Sequence, residues 1–297
     1  MRKLLLTACL LFASSGTVLA QNNLQEACPA GSAFCQRMGE AAELSQVRTG
    51  IGLSGGNPVL GASSTLGMRL RAVPRVTIAV RVTGVQLDVP NVTGPTQSGD
   101  VGNLARSLNF DAAVGVFSGV SLFPTVGGFG SIDLLASYGT LNVPEEYAPE
   151  NLNSWALGAR IGILRESFTA PGIAVSGMFR SIESQTFGSF FGAGNTPGTY
   201  FMVRDTRVWS ARATVGKRLL MLGAVAGVGY DKYTGSAEAE DGANFSVATD
   251  DFNTSRTTLF ANLSWTMLLL NFVAEGGVQR GGPDNTNYGS LAVRLAM

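Results

Sequence analysis

The sequence predicts an all-β chain closed into an antiparallel, up-and-down transmembrane β-barrel of about twelve strands. Three observations carry this. Apolar and polar residues alternate with a period of two along most of the chain, as they do where strands have one greasy and one polar face. Short and long connections alternate between those segments. The polar face carries arginine, serine, threonine and glycine, with Lys3, Lys217 and Lys232 the only lysines in 297 residues. Charged residues make up 14% of the chain, against roughly a quarter in a soluble domain. The formal net charge is zero, which leaves no electrostatic footprint for nucleic acid.

Residues 1–20 read as a signal peptide. Arg2 and Lys3 form its charged start, Leu4 to Ala13 its apolar core, and Val18-Leu19-Ala20 a small-residue cleavage pattern. Leu6-Thr7-Ala8-Cys9 is similar to a lipoprotein box but follows Lys3 too closely to leave a normal apolar core. Residues 21–47 lack alternation and read as a periplasmic N-terminal leader. Within it "QRMGEAAELSQ" suits a short helix, and a cap or partial plug at the barrel mouth is the alternative to a loose leader. Cys28 and Cys35, in "CPAGSAFC", predict a disulfide in an oxidising compartment. So short a loop contributes roughly 2–3 kcal/mol when unstrained. Two cysteines without any histidine make a poor zinc site, and no metal or cofactor is expected.

The barrel is expected over residues 48–297. Segment 48–56 opens the series. In 63–73, Leu66, Met68 and Leu70 alternate with Gly67, Arg69 and Arg71; after a turn at Pro74, 76–89 sets Val76, Ile78, Val80 and Val82 against Thr77, Ala79 and Arg81. The polar faces of the following segments read Asn109 and Asp111 (107–120), Ser131 and Asp133 (128–143), Arg160 (154–166), Ser176 and Arg180 (172–187), and Ser210 and Arg212 (200–217). Segment 220–236 contains "LLMLGAVAGVG", too short and glycine-rich for a membrane helix. The last three, 255–268, 270–281 and 287–297, present Asn262 and Ser264, Glu275 and Gln279, and Ser290 and Arg294.

Alternation does not by itself tell a soluble barrel from a membrane one. The arginine-rich, lysine-poor polar face suits a confined interior better than a solvated exterior. The apolar face is ordered in height. With the long loops outermost, Phe110, Tyr138, Trp155, Tyr230 and Tyr288 fall toward one end of their strands, and Phe129, Trp265 and Phe272 toward the other. Two aromatic girdles around an aliphatic band belong at two membrane interfaces.

In sum, residues 48–297 resemble bacterial outer-membrane β-barrel proteins in architecture. The resemblance implies an outer-membrane location and contact with its lipids and lipopolysaccharide. It also implies a last strand read by the barrel-assembly machinery, although Met297 replaces the usual terminal aromatic. The expected function is a porin-like passive channel for small polar or anionic solutes. Its interior-lining residues would be Arg69, Arg71, Arg81, Asp111, Asp133, Arg160, Arg180, Arg212, Glu275 and Arg294, with the arginines setting a positive field. The alternative is that these arginines pair with Asp111, Asp133, Asp231 and Glu275 and fill the barrel, leaving a structural or surface-binding protein without transport. An enzyme is not expected, because the chain has no histidine to act as a base near neutral pH.

Overall fold

Hydrocarbon leaves no partner for an open strand edge, so a membrane sheet must close on itself. The computed structural model describes residues 23–69, 73–90, 100–121, 127–142, 151–188, 198–242, 244–282 and 284–296. The predicted signal peptide, Arg71 and Met297 lie outside the described residues, as does the side chain of Arg69. Among the described residues two helices come first, α1 (Asn23–Glu26) and α2 (Ala33–Ser54), followed by two short strands, β1 (Met68–Arg69) and β2 (Val73–Pro74). The wall then runs β3 (Val76–Pro90), β4 (Asp100–Phe117), β5 (Ser131–Asn142), β6 (Leu152–Leu164) and β7 (Gly172–Ile182). After the short β8 (Gln185–Gly188) come β9 (Thr199–Leu219) and β10 (Leu222–Asp241), the short β11 (Phe245–Thr249), then β12 (Thr254–Met267), β13 (Leu270–Arg280) and β14 (Thr286–Ala296).

The fold is the predicted one, a closed antiparallel up-and-down barrel with a twelve-stranded sheet. Ten of those strands make the ring, which β14 closes by pairing with β3 from Tyr288↔Val85 to Ala296↔Thr77. The other two, β8 and β11, pair with β9 and β10 and extend the sheet beyond the ring at the long-loop end. Burial alternates residue by residue. On β3, Thr77, Ala79, Arg81 and Thr83 are buried, while Ile78, Val80 and Val82 stand exposed on the outer surface.

The N-terminal segment differs from expectation. The strands expected at 48–56 and 63–73 are not part of the ring, and the wall begins at Val76 rather than at residue 48. Residues 33–54 form one helix inside the barrel, and contacts from Ser54 to Leu66 with inward-facing wall residues carry the chain on down the lumen. The physical reason is backbone satisfaction. A helix pairs its own N–H and C=O groups, whereas a strand inside a closed ring would leave both its edges unpaired. Ser32 caps the helix start, accepting the Cys35 N–H at 3.3 Å, and Gly55 ends it with φ 60° and an N–H bond to Ile51 O at 2.8 Å. The leader alternative of a plug, rather than a loose leader, describes the observed arrangement, and it is deeper than a cap at the mouth.

The direction of the segment follows from its contacts. Phe34 meets Phe245 of β11 edge to face at 6.2 Å, and Glu43 accepts from Thr254 and Arg256 at the start of β12, so α2 begins at the long-loop end. Asp133 near the start of β5 accepts the N–H of Leu66, so the chain leaves at the short-turn end. The disulfide forms as predicted: Cys28 and Cys35, with Cα atoms 5.7 Å apart, staple α1 to the first turn of α2.

Around α2 the upper lumen is an apolar core. Met38, Ala41, Val47, Ile51 and Leu53 pack on Val85, Leu87, Leu141, Phe201, Val203 and Tyr233 of the wall. Close approach depends on small residues, since a Cβ at Gly50 would overlap the Tyr233 ring. Gly50→Leu is therefore expected to destabilise the folded barrel by about 1–3 kcal/mol through overpacking. A lower temperature of conversion from the fast-migrating folded form to the unfolded form on a gel would register the loss.

Candidate functional site: the plugged lumen

A helix end leaves backbone carbonyls without partners, and a buried end must find donors for them. The last residues of α2 sit at mid-height in the barrel, and the wall supplies those donors. Arg81 donates from Nη1 to Ser54 O at 2.9 Å. Arg212 donates from Nε to Gly56 O at 3.0 Å and from Nη2 to Gly55 O at 3.4 Å. These cations face the negative end of the helix dipole. The next two backbone groups are donors, and they meet the opposite charge: Glu275 accepts from Gly56 N at 2.9 Å and Asn57 N at 3.0 Å.

The arginines are in turn held by carboxylates. Arg81 pairs with Asp111 at 3.2 Å, and Arg212 with Asp231 at 2.8 Å. Asp231 is fully buried and also accepts from Ser210, Thr258 and Gln279. Toward the long-loop end Arg256 pairs with Glu43 of α2 at 2.7 Å. Toward the short-turn end Arg160 pairs with Asp133 at 2.7 Å, and the same carboxylate takes the Leu66 N–H at 2.9 Å. Arg180 donates to Ser154 at 2.7 Å and Ser137 at 3.2 Å. Arg294 donates to Leu60 O at 2.7 Å. Each ring of charge thus grips either the wall or the threaded segment.

All eight predicted interior residues whose side chains are described face the lumen and are buried: Arg81, Asp111, Asp133, Arg160, Arg180, Arg212, Glu275 and Arg294. Their partners on the threaded segment were not foreseen, nor was Arg256. Arg256 shares the face of Asn262 and Ser264 on β12, so the same alternation marks it. A cavity of about 20 Å³ remains beside the end of α2, between Arg81, Arg180 and Arg212. That is room for about one water molecule.

On the outer face, Phe110, Tyr138 and Trp155 stand in one cross-strand row and are exposed, as is Tyr230. The row continues through Phe179 and Trp209, whose ring centres lie 4.9 Å apart. At the other end Trp265 and Phe272 are paired across strands with ring centres 6.0 Å apart. Tyr288 is a correction. Expected among the lipid-facing aromatics, it points inward and is buried, because it shares the face of Ser290 and Arg294 on β14. Its ring lies over Gly277 and against Gly56 of the plug.

No protein-family model and no curated protein matches the chain. Among solved structures it is similar to the translocator domain of the autotransporter NalP from Neisseria meningitidis, at 13% identity over 75% of this chain and 87% of that one, with a TM-score of 0.44. It is also similar to the transport unit of the autotransporter AIDA-I from Escherichia coli, at 11% identity over 86% and 99%, TM-score 0.36. A third is the Pseudomonas putida toluene transporter TodX, at 8% identity over 82% and 96%, TM-score 0.34. The chain's own surface carries the assignment. A closed ring bearing exposed Leu263, Leu291 and Leu157 between two aromatic rows has the exterior of a membrane wall. In architecture, the chain has the fold of the bacterial outer-membrane β-barrels.

Proposed function

We propose that this barrel is a plugged scaffold that holds its own N-terminal segment threaded to the cell surface, rather than a passive diffusion channel. One observation carries the reading: the segment before the wall enters at the long-loop end, fills the lumen and is clamped at mid-height by Arg81, Arg212 and Glu275. Long loops face outward in bacterial barrels. Residues around Ala30, exposed beside the stapled α1, then stand outside the cell with the acidic tips of β10 and β11, where Glu238, Glu240 and Asp241 lie. Surface binding is the role this placement suits. Export by the predicted signal peptide, contact with lipid and lipopolysaccharide, and insertion by the barrel-assembly machinery are part of the same proposal.

The charge pattern supports it over the porin-like alternative. Arginines that serve passing anions need to be accessible, and here Arg81, Arg160, Arg212 and Arg256 each hold a carboxylate. The test is an epitope inserted between Ala30 and Gly31, with a second one at Gly242 as a control for assembly. Antibody should bind both on intact cells. Binding at Gly242 alone, with the N-terminal epitope seen only after permeabilisation, would refute the threading. Steady conductance from the full chain in planar bilayers would refute the plug.

A further inference from the structure

Arg294 stands apart from the other interior arginines. It is 6% exposed; among the described residues its one hydrogen bond is to the Leu60 carbonyl at 2.7 Å, and its Nε–H meets no acceptor. Among the described residues the other buried arginines are matched by carboxylates or, for Arg180, by two hydroxyls. An arginine buried without compensation is costly, and burial of this kind persists where an anion completes it.

The space beside it suits one. Arg294 lines a cavity of about 350 Å³ at the short-turn end, with Arg75, Arg165, Arg218, Thr77 and Glu166. This lies within the range of roughly 300–1,000 Å³ for small-ligand pockets. Among the described residues the cavity lining contains four arginines against one carboxylate. That carboxylate, on Glu166, is already engaged by the backbone N–H of Arg218. Arg165 donates to Ser118 O at 3.0 Å and Arg75 to Leu66 O at 3.4 Å, which leaves most of each guanidinium's donors directed elsewhere.

We propose that this cavity binds a tetrahedral phosphate group, gripped by Arg294 from within and by Arg75, Arg165 and Arg218 at the rim. Guanidinium forks match phosphate oxygens in bidentate geometry, and a phosphate brings the charge that Arg294 lacks. The group reaches the site either as free phosphate or as the headgroup of an inner-leaflet phospholipid. The proposal does not depend on whether the N-terminal segment is displayed at the surface.

The experiment uses the full chain in a maltoside detergent. Inorganic phosphate is titrated by calorimetry, and phosphatidylglycerol is followed by native mass spectrometry. Saturable binding of one group per chain is expected. Arg294→Gln should weaken it by roughly tenfold or more, equivalent to about 1.4 kcal/mol, while Arg204→Gln at the opposite end leaves it unchanged. Lipid that displaces phosphate identifies the headgroup as the source, and phosphate binding indifferent to lipid identifies the free ion. Binding of neither, or equal binding by Arg294→Gln, overturns the site. Where Arg294→Gln does not assemble, the rim double variant Arg165→Gln with Arg218→Gln takes its place; it should bind several-fold more weakly, and wild-type affinity in it overturns the proposal equally.

Discussion

Deleting residues 23–66 is expected to turn an electrically silent barrel into a conducting one. The wall closes through β14 and β3 without help from the threaded segment. What the deletion removes is α2, the clamped turn after it, and Glu43 with its hold on Arg256. The emptied bore would expose Arg81, Arg160, Arg180, Arg212, Arg256 and Arg294 against Asp111, Asp133, Asp231 and Glu275. Cations on the wall would outnumber anions, so the opened pore should prefer chloride over potassium. Planar-bilayer recordings give both answers, through step conductance and reversal potential in a salt gradient. The apolar upper wall would be left wet, and a gentler variant covers the case in which the deleted barrel does not assemble. Glu275→Ala removes the acceptor of Gly56 N and Asn57 N. Two buried N–H groups without partners cost about 1–3 kcal/mol each, which should loosen the plug and produce brief openings. A full chain that conducts as freely as either variant would sink the idea.

The contrast between wall and plug shows what the amino-acid sequence makes legible. The wall was readable because lipid outside and a polar lumen inside impose opposite demands on neighbouring residues. Ile78, Val80 and Val82 face out while Thr77, Ala79 and Arg81 face in, and the period of two is written directly into the chain. The interior arginines and acids were found the same way. The plug was obscured because nothing around it imposes two faces. From Ala41 to Leu53 every residue of α2 is buried, Glu43, Gln46 and Arg48 among them. A helix enclosed on all sides carries no amphipathic stripe. Its tail, Thr49-Gly50-Ile51-Gly52-Leu53, instead mimics strand alternation, because glycines fall where Tyr233 and Val85 come close. The clamp was invisible for a further reason. Its acceptors and donors on the segment are backbone atoms of Ser54 to Asn57, which carry no residue-type signature. Alternation and composition together point to enclosed charge; only the threaded path shows that Arg81, Asp133, Arg212, Glu275 and Arg294 hold the chain's own backbone.

Asp133→Ala is expected to be the most destabilising single substitution in the wall. The carboxylate is fully buried and accepts from Arg160 Nη2 at 2.7 Å, Arg160 Nε at 3.1 Å and Leu66 N at 2.9 Å. Its removal leaves a guanidinium buried without its partner, and breaking such a pair typically costs about 3–5 kcal/mol. The loss of the Leu66 contact also frees the exit of the threaded segment. Urea unfolding in lipid vesicles, followed by tryptophan emission, should show the midpoint fall accordingly. The exposed pair Arg204–Glu238 provides the comparison. It is shorter on paper, at 2.6 Å, but its side chains are 47% and 25% exposed. Water and salt screen such a pair, so Glu238→Ala should cost no more than about 1 kcal/mol. A double variant separates the value of the ion pair from the penalty of orphaning its cation. With Asp133→Leu and Arg160→Met together, no uncompensated charge remains, and apolar replacement of a buried pair is often close to neutral. The double variant should therefore be more stable than Asp133→Ala alone. If it is less stable, the pair stabilises the wall in its own right, and the cost of the single change cannot be assigned to the stranded arginine.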